Sequence, residues 1–208
     1  QRPVCTKLIT VAGEVAQPIS LHVPIGTSFD DCLALAGGAS CARYTVFHNG
    51  VLSGKPIDPT NAWVSATTLG YVLLPDTHSV VQAGNAMSAR LAERRNDFLA
   101  NTLAGRTQAM SAAYALFDLT SYRRARPAFR TLASGDAIPA RVRITPFGHA
   151  REFQACVSTG EHVERGQSVA IQKDSGGITL HASVHGVVEA ADAQGITLRR
   201  SAEKELHS

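Results

Sequence analysis

The 208-residue chain has length for two small modules, and its 44% hydrophobic and 18% charged residues are those of a globular protein rather than a disordered or collagen-like one. No run approaches the roughly 20 apolar residues a membrane helix needs, and the net charge of +3 is too small to mark the whole chain as a nucleic-acid binder. The four cysteines, Cys5, Cys32, Cys41 and Cys156, stand singly without a C-x-x-C pair, so neither a zinc ribbon nor an iron–sulfur cluster is expected and the thiols read as buried or half-buried side chains.

Leu8 to Ala12 and Ile19 to Val23 are predicted strands, rich in β-branched residues and joined by a turn around Gly13, Gln17 and Pro18. Thr27 or Ser28 then caps a short helix, Phe29 to Ala36, with Asp30 or Asp31 three residues on, and Gly37-Gly38 stops it. Tyr44 to His48 is a third strand followed by the hairpin dipeptide Asn49-Gly50. Trp63 to Ser65 and Tyr71 to Leu74 supply later strands. Strand, strand, helix and further strands is the order of a β-grasp.

From Ser79 to Ala133 apolar residues recur at three- and four-residue spacings, which predicts two or three helices with breaks near Gly105 and Pro127. The charge is uneven here: between Gln82 and Thr145 lie ten arginines, no lysine and four carboxylates. Such a stretch is a solvated face or a surface for an acidic protein partner, and no aromatic interleaving points to nucleic acid. After a Ser-, Gly- and Pro-containing linker the chain returns to strands, with glycine-punctuated phrases at Gly160 to Ala170 and at His181 to Val188. Paired phrases of this kind build a barrel-sandwich hybrid.

Three sets of residues together resemble one family. Ile9-Thr-Val-Ala-Gly-Glu-Val15 with Val23-Pro-Ile-Gly-Thr27 and Ala36-Gly-Gly38 looks like a soluble-ligand-binding β-grasp (SLBB) domain. Asn49-Gly-Val-Leu-Ser-Gly54, Asp58 and the stretch Val64 to Pro75 are similar to the matching segment of the Rnf electron-transport complex C subunit, and the C-terminal glycine phrases resemble that group's barrel-sandwich hybrid. The order of parts looks most like the family that includes the cobalamin reductase PduS.

The expected fold is therefore α+β, with an SLBB-like β-grasp over 1–78, a helical, Arg-rich, degenerate ferredoxin-like segment over 79–138, a barrel-sandwich hybrid over 139–200 and a tail over 201–208. The resemblance implies a flavin domain with FMN upstream of Gln1, which this chain lacks, and clustered cysteines after the β-grasp, which Gln82 to Ala133 does not contain. It also implies a cytoplasmic or microcompartment setting and electron-transfer or microcompartment proteins as partners, met through the Arg-rich helices.

No catalytic residue and no metal ligand is assigned. His181 and His185 do not share a face in extended backbone, and Lys173 sits early for a swinging-arm lysine. The polar groups best placed to hold a ligand are Gly26 and Thr27 at the helix start and Thr67, Thr68 and Gly70 before the last strand of the first module, where capping and hairpin closure compete as explanations. Three functional readings follow: a non-catalytic scaffold of an electron-transfer protein, a module binding a corrinoid or saccharide, or the C-terminal part of a flavin-dependent NADH oxidoreductase.

Overall fold

The computed structural model describes residues 3–51, 54–82, 118–122, 127–131, 139–146, 153–173 and 177–201. They are mostly β-strand with few helices. Strands β1 (Thr6–Gly13) and β2 (Ile19–Pro24) pair antiparallel with Ile9 opposite Leu21 and Val11 opposite Ile19. Their alternation puts Ile9, Val11, Leu21 and Val23 into the core and leaves Leu8 exposed.

Helix α1 (Phe29–Leu35) lays Phe29 and Cys32 on that inner face. Each large side chain fully buried here, such as Leu21 or Phe29, contributes about 1.5–3 kcal/mol. Ser28 is the N-cap: its Oγ accepts from Asp31 N at 3.0 Å and donates to the Asp31 carboxylate at 2.6 Å. Ser28→Ala should lower stability by about 1 kcal/mol in a urea melt, since it leaves a first-turn N–H without its acceptor.

Strand β3 (Tyr44–His48) pairs antiparallel with β4 (Lys55–Ile57) and with β5 (Gly70–Pro75), and β5 lies parallel to β1. The short helix α2 (Ser79–Gln82) and residues 118–122 cover part of the opposite face, where Phe47, Leu74 and Leu119 form a second core. Residues 118–122 are tied down by polar groups as well. His78 Nε2 lies 3.1 Å from Asp118 O, and Tyr122 donates to Glu14 at 2.8 Å, a carboxylate also held by Ser40.

Two expectations are corrected. Residues 128–131, inside the stretch whose periodicity predicts helix, form strand β6 (Ala128–Thr131), which pairs parallel with β2 and completes the order β4-β3-β5-β1-β2-β6. Pro127 bars helix continuation and the free edge of β2 offers unpaired backbone groups, so pairing overrides local periodicity. Trp63 makes only an isolated bridge to Ser28 and no strand forms at 63–65. The remaining helices expected over 83–117 lie outside the described residues.

The second module comprises β7 (Arg141–Ile144), β8 (Phe153–Ala155), β9 (His162–Val163), β10 (Ser168–Gln172), β11 (Ile178–His181), β12 (Gly186–Asp192) and β13 (Gly195–Arg200). They make one sheet of order β11-β10-β8 and another of order β7-β13-β12-β9. The sheets share a core in which Val142, Val169, Ala170, Ile196 and Leu198 are fully buried. Arg141 and Arg143, counted in the arginine-rich stretch, thus lie on a strand. Arg141 is paired with Glu189 at 2.7 Å, and Arg143 with Asp192 at 2.9 Å, which holds the Asp192 carboxyl below its ordinary range. Arg130 sits on β6, and the other arginines of the stretch lie outside the described residues.

The modules meet at the turn that follows β2. Ile25 packs against the second module's core, the Ser183 hydroxyl donates to Ile25 O, and Arg143 N donates to Gly26 O at 2.8 Å. The Cys5 thiol reaches Ala182 O at 3.5 Å from the same side.

Candidate functional site

The turn Ser65 to Thr68 gathers the densest hydroxyl cluster among the described residues. Thr68 Oγ1 accepts from Ser65 N at 2.9 Å and lies 3.0 Å from His48 Nε2 and 3.1 Å from Ser65 Oγ. Thr67 Oγ1 is 3.0 Å from Ser65 Oγ. Asn49 fastens the turn from the β3 side, donating to Thr67 O at 3.2 Å and accepting from Leu69 N at 2.6 Å. Lys7 closes it from β1 with a 2.7 Å bond to Ala66 O.

Gly70 begins β5 beneath the cluster, and its carbonyl accepts from Asn49 N at 2.8 Å. Gly26 and Thr27 join the same seam through Val64: Gly26 N donates to Val64 O at 2.6 Å and Val64 N to Thr27 O at 2.8 Å. All five residues singled out in the sequence therefore fall along one continuous strip. They differ in access. Thr27 and Thr68 are fully buried, Thr27 donating to Pro24 O at 2.8 Å, whereas Thr67 is exposed.

Burial lowers the His48 pKa, so the imidazole is neutral at pH 7 and its bond to Thr68 is one between uncharged groups. The Thr68 hydroxyl, walled in, is out of reach of a substrate. The arrangement fixes a turn and presents the Ser65 and Thr67 hydroxyls as hydrogen-bonding groups at its rim. His48 and Asn49 were not singled out in the sequence. The Asn-Gly dipeptide signals a hairpin turn, but nothing local signals that the Asn49 amide reaches residues 67 and 69.

Beneath the cluster, Tyr71 is 1% exposed and packs edge-to-face on Phe29 with ring centroids 5.2 Å apart. Its hydroxyl points toward Thr68 yet makes no hydrogen bond of ordinary geometry, and burial, with Cys32 nearby, pushes the phenol pKa far up. Removing an unpaired buried hydroxyl is favourable, so Tyr71→Phe should gain about 1 kcal/mol in equilibrium unfolding, and a loss of that size would mean that the hydroxyl has a partner.

Among the described residues no three His, Cys, Asp or Glu side chains come together in a way that could hold a metal ion. His185 Nδ1 accepts from Arg165 N at 3.4 Å, and half-buried His181 faces a cavity between the modules. All four cysteines are free: Cys5 and Cys32 are buried, Cys41 is half-buried and Cys156 exposed. Burial pushes the Cys32 thiol far up in pKa, and burial with Glu14 raises Cys41. A thiol reagent such as DTNB should therefore label Cys41 and Cys156 in the native chain, Cys41 more slowly than a free thiol, and reach Cys5 and Cys32 only after denaturation.

Residues 8–44, within the first module, match the SLBB domain family. The chain resembles the cobalamin reductase PduS. It is 43% identical to PduS of Citrobacter freundii over 82 residues, which are 39% of this chain and 18% of that protein. To PduS of Salmonella typhimurium it is 39% identical over 80 residues, 38% of this chain and 18% of that protein. The matched segment thus spans less than a fifth of the curated relatives. No solved structure matches the chain. Among the described residues no helix is long and apolar enough to cross a membrane.

Proposed function

We propose that this chain is a non-catalytic scaffold or interaction portion of an electron-transfer protein related to the Rnf C subunit and PduS, with its first module a β-grasp and its second a barrel-sandwich hybrid. The observation that carries this reading is the 43% identity over 82 residues to cobalamin reductase PduS. The inward-tied hydroxyls of the Ser65 to Thr68 turn support a structural role for that turn. In this reading the chain carries no cofactor itself, and FMN belongs to a separate nucleotide-binding part. Its partners are electron-transfer or microcompartment proteins met through the arginine-rich stretch, in the cytoplasm or a microcompartment.

Four scattered thiolates cannot ligate a cubane, because iron–sulfur clusters need thiolates held together. Anaerobic incubation of the 208-residue chain with iron and sulfide should leave it colourless and unable to oxidise NADH. A bound cluster, or NADH oxidation by the chain alone, would overturn the proposal. The immobilised chain should also retain a flavin- or cluster-bearing protein, identified by its spectrum, and release it at high salt, as charge-mediated contacts do.

A further inference from the structure

We infer that the cavity between the two modules is a binding site for a small, uncharged, mainly apolar molecule bearing a hydrogen-bonding group. The cavity measures about 620 Å³ and takes walls from both modules, with Val4 and Ile25 on the first and Ile144 and Ile178 on the second. Small-molecule sites occupy about 300–1,000 Å³ and favour seams between domains. The seam on which it sits is held by the Arg143 bond to Gly26 O and by Ser183 on Ile25 O, so the Ile25 wall is in place before a ligand arrives.

Two features set the class of ligand. Among the described residues no Asp, Glu, Lys or Arg lines the cavity, so a phosphate or carboxylate entering it would lose its hydration without a counter-charge from these walls. The polar groups available are the hydroxyls of Thr145 and Thr179 and the imidazole of His181, which suit a carbonyl, hydroxyl or ring nitrogen. A whole corrinoid is too large for this volume, and FMN carries a phosphate that the described walls do not answer.

The surface around the cavity gives independent support. Among the described residues five large apolar side chains are exposed, and two of them, Val4 at 67% and Ile178 at 37%, line this one cavity. Exposed apolar groups that converge on a concave seam are what a ligand would cover. The site does not depend on the scaffold reading.

Nile red, an uncharged fluorescent dye, tests the inference on the full chain. The expected result is saturable one-to-one binding with blue-shifted emission, weakened at least tenfold by Val4→Asp and by Ile178→Asp. Leu8→Asp, at an exposed apolar residue that does not line the cavity, should bind as the parent chain does. FMN should not compete. Because Val4 is mostly solvent-facing, its variant keeps the core intact, and parallel thermal melts identify which variants retain the fold. The inference is overturned by an absence of saturable binding, by equal weakening in Leu8→Asp, by parent-like binding in folded Val4→Asp, or by displacement of the dye by FMN.

Discussion

Gly13→Ala should destabilise the chain by about 3–4 kcal/mol, a large effect for a single methyl group. Gly13 ends β1 at φ +90°, a conformation that costs a residue with a side chain about 1–2 kcal/mol. A Cβ there would also lie 2.0 Å from Leu73 O in the neighbouring parallel strand. That oxygen already accepts from Glu14 N at 2.9 Å, so it cannot retreat without breaking a bond between β5 and the turn. The remainder of the cost is overpacking, worth about 1–3 kcal/mol in a tight interior. Urea unfolding of the full chain, followed by circular dichroism, measures the change, and a loss below about 1 kcal/mol would show that β1 and β5 can part at this point.

Gly26→Val should uncouple the two modules. The turn it occupies is also at φ +90°, and a Cβ would come within 2.8 Å of Arg143 O, on the residue whose N–H bonds Gly26 O. A β-branched side chain is the least tolerant of that backbone, and steric relief requires the turn to withdraw from β7. Ile25, which packs against the second module's core, and the Ser183 hydroxyl bond would go with it. The expected loss is about 3 kcal/mol, spread between strain and undocking. Calorimetry should show one endotherm in the parent chain and two in the variant, and a single unshifted endotherm would mean that the turn is not the coupling element.

Much of the first module was legible because its signals are local. The β-branched and apolar runs of β1 and β2, the hydroxyl pair Thr27-Ser28 before the helix and the paired glycines after it each fix a feature within a few residues. Strand β3 carries the same signal and ends at Asn49-Gly50, where both residues have positive φ. What escaped depends on distant partners. Strand β6 is a strand because β2 leaves an edge for it, and β4, with Pro56 in its middle, survives only as the outermost strand beside β3.

The site divides in the same way. Thr67, Thr68 and Gly70 stand out as a hydroxyl pair beside glycine, but the groups that organise them, His48, Asn49 and Lys7, come from other strands. Thr27 and Ser28 looked interchangeable as caps. The backbone settles the choice by putting Ser28 at the N-cap and turning Thr27 inward onto Pro24 O. Burial of this kind is a property of the folded whole, and no spacing rule encodes it.

The late position of β6 bears on how the protein is made. On the ribosome, β2 is finished by Pro24, yet the segment that shields its outer edge begins at Ala128. Until that segment emerges, the nascent sheet carries a bare row of amides next to apolar side chains, a template for pairing with other chains. Truncated forms that stop before Ala128 should therefore be prone to clump even with every residue of the SLBB match present, and co-expression with a chaperone should help them more than it helps the full chain.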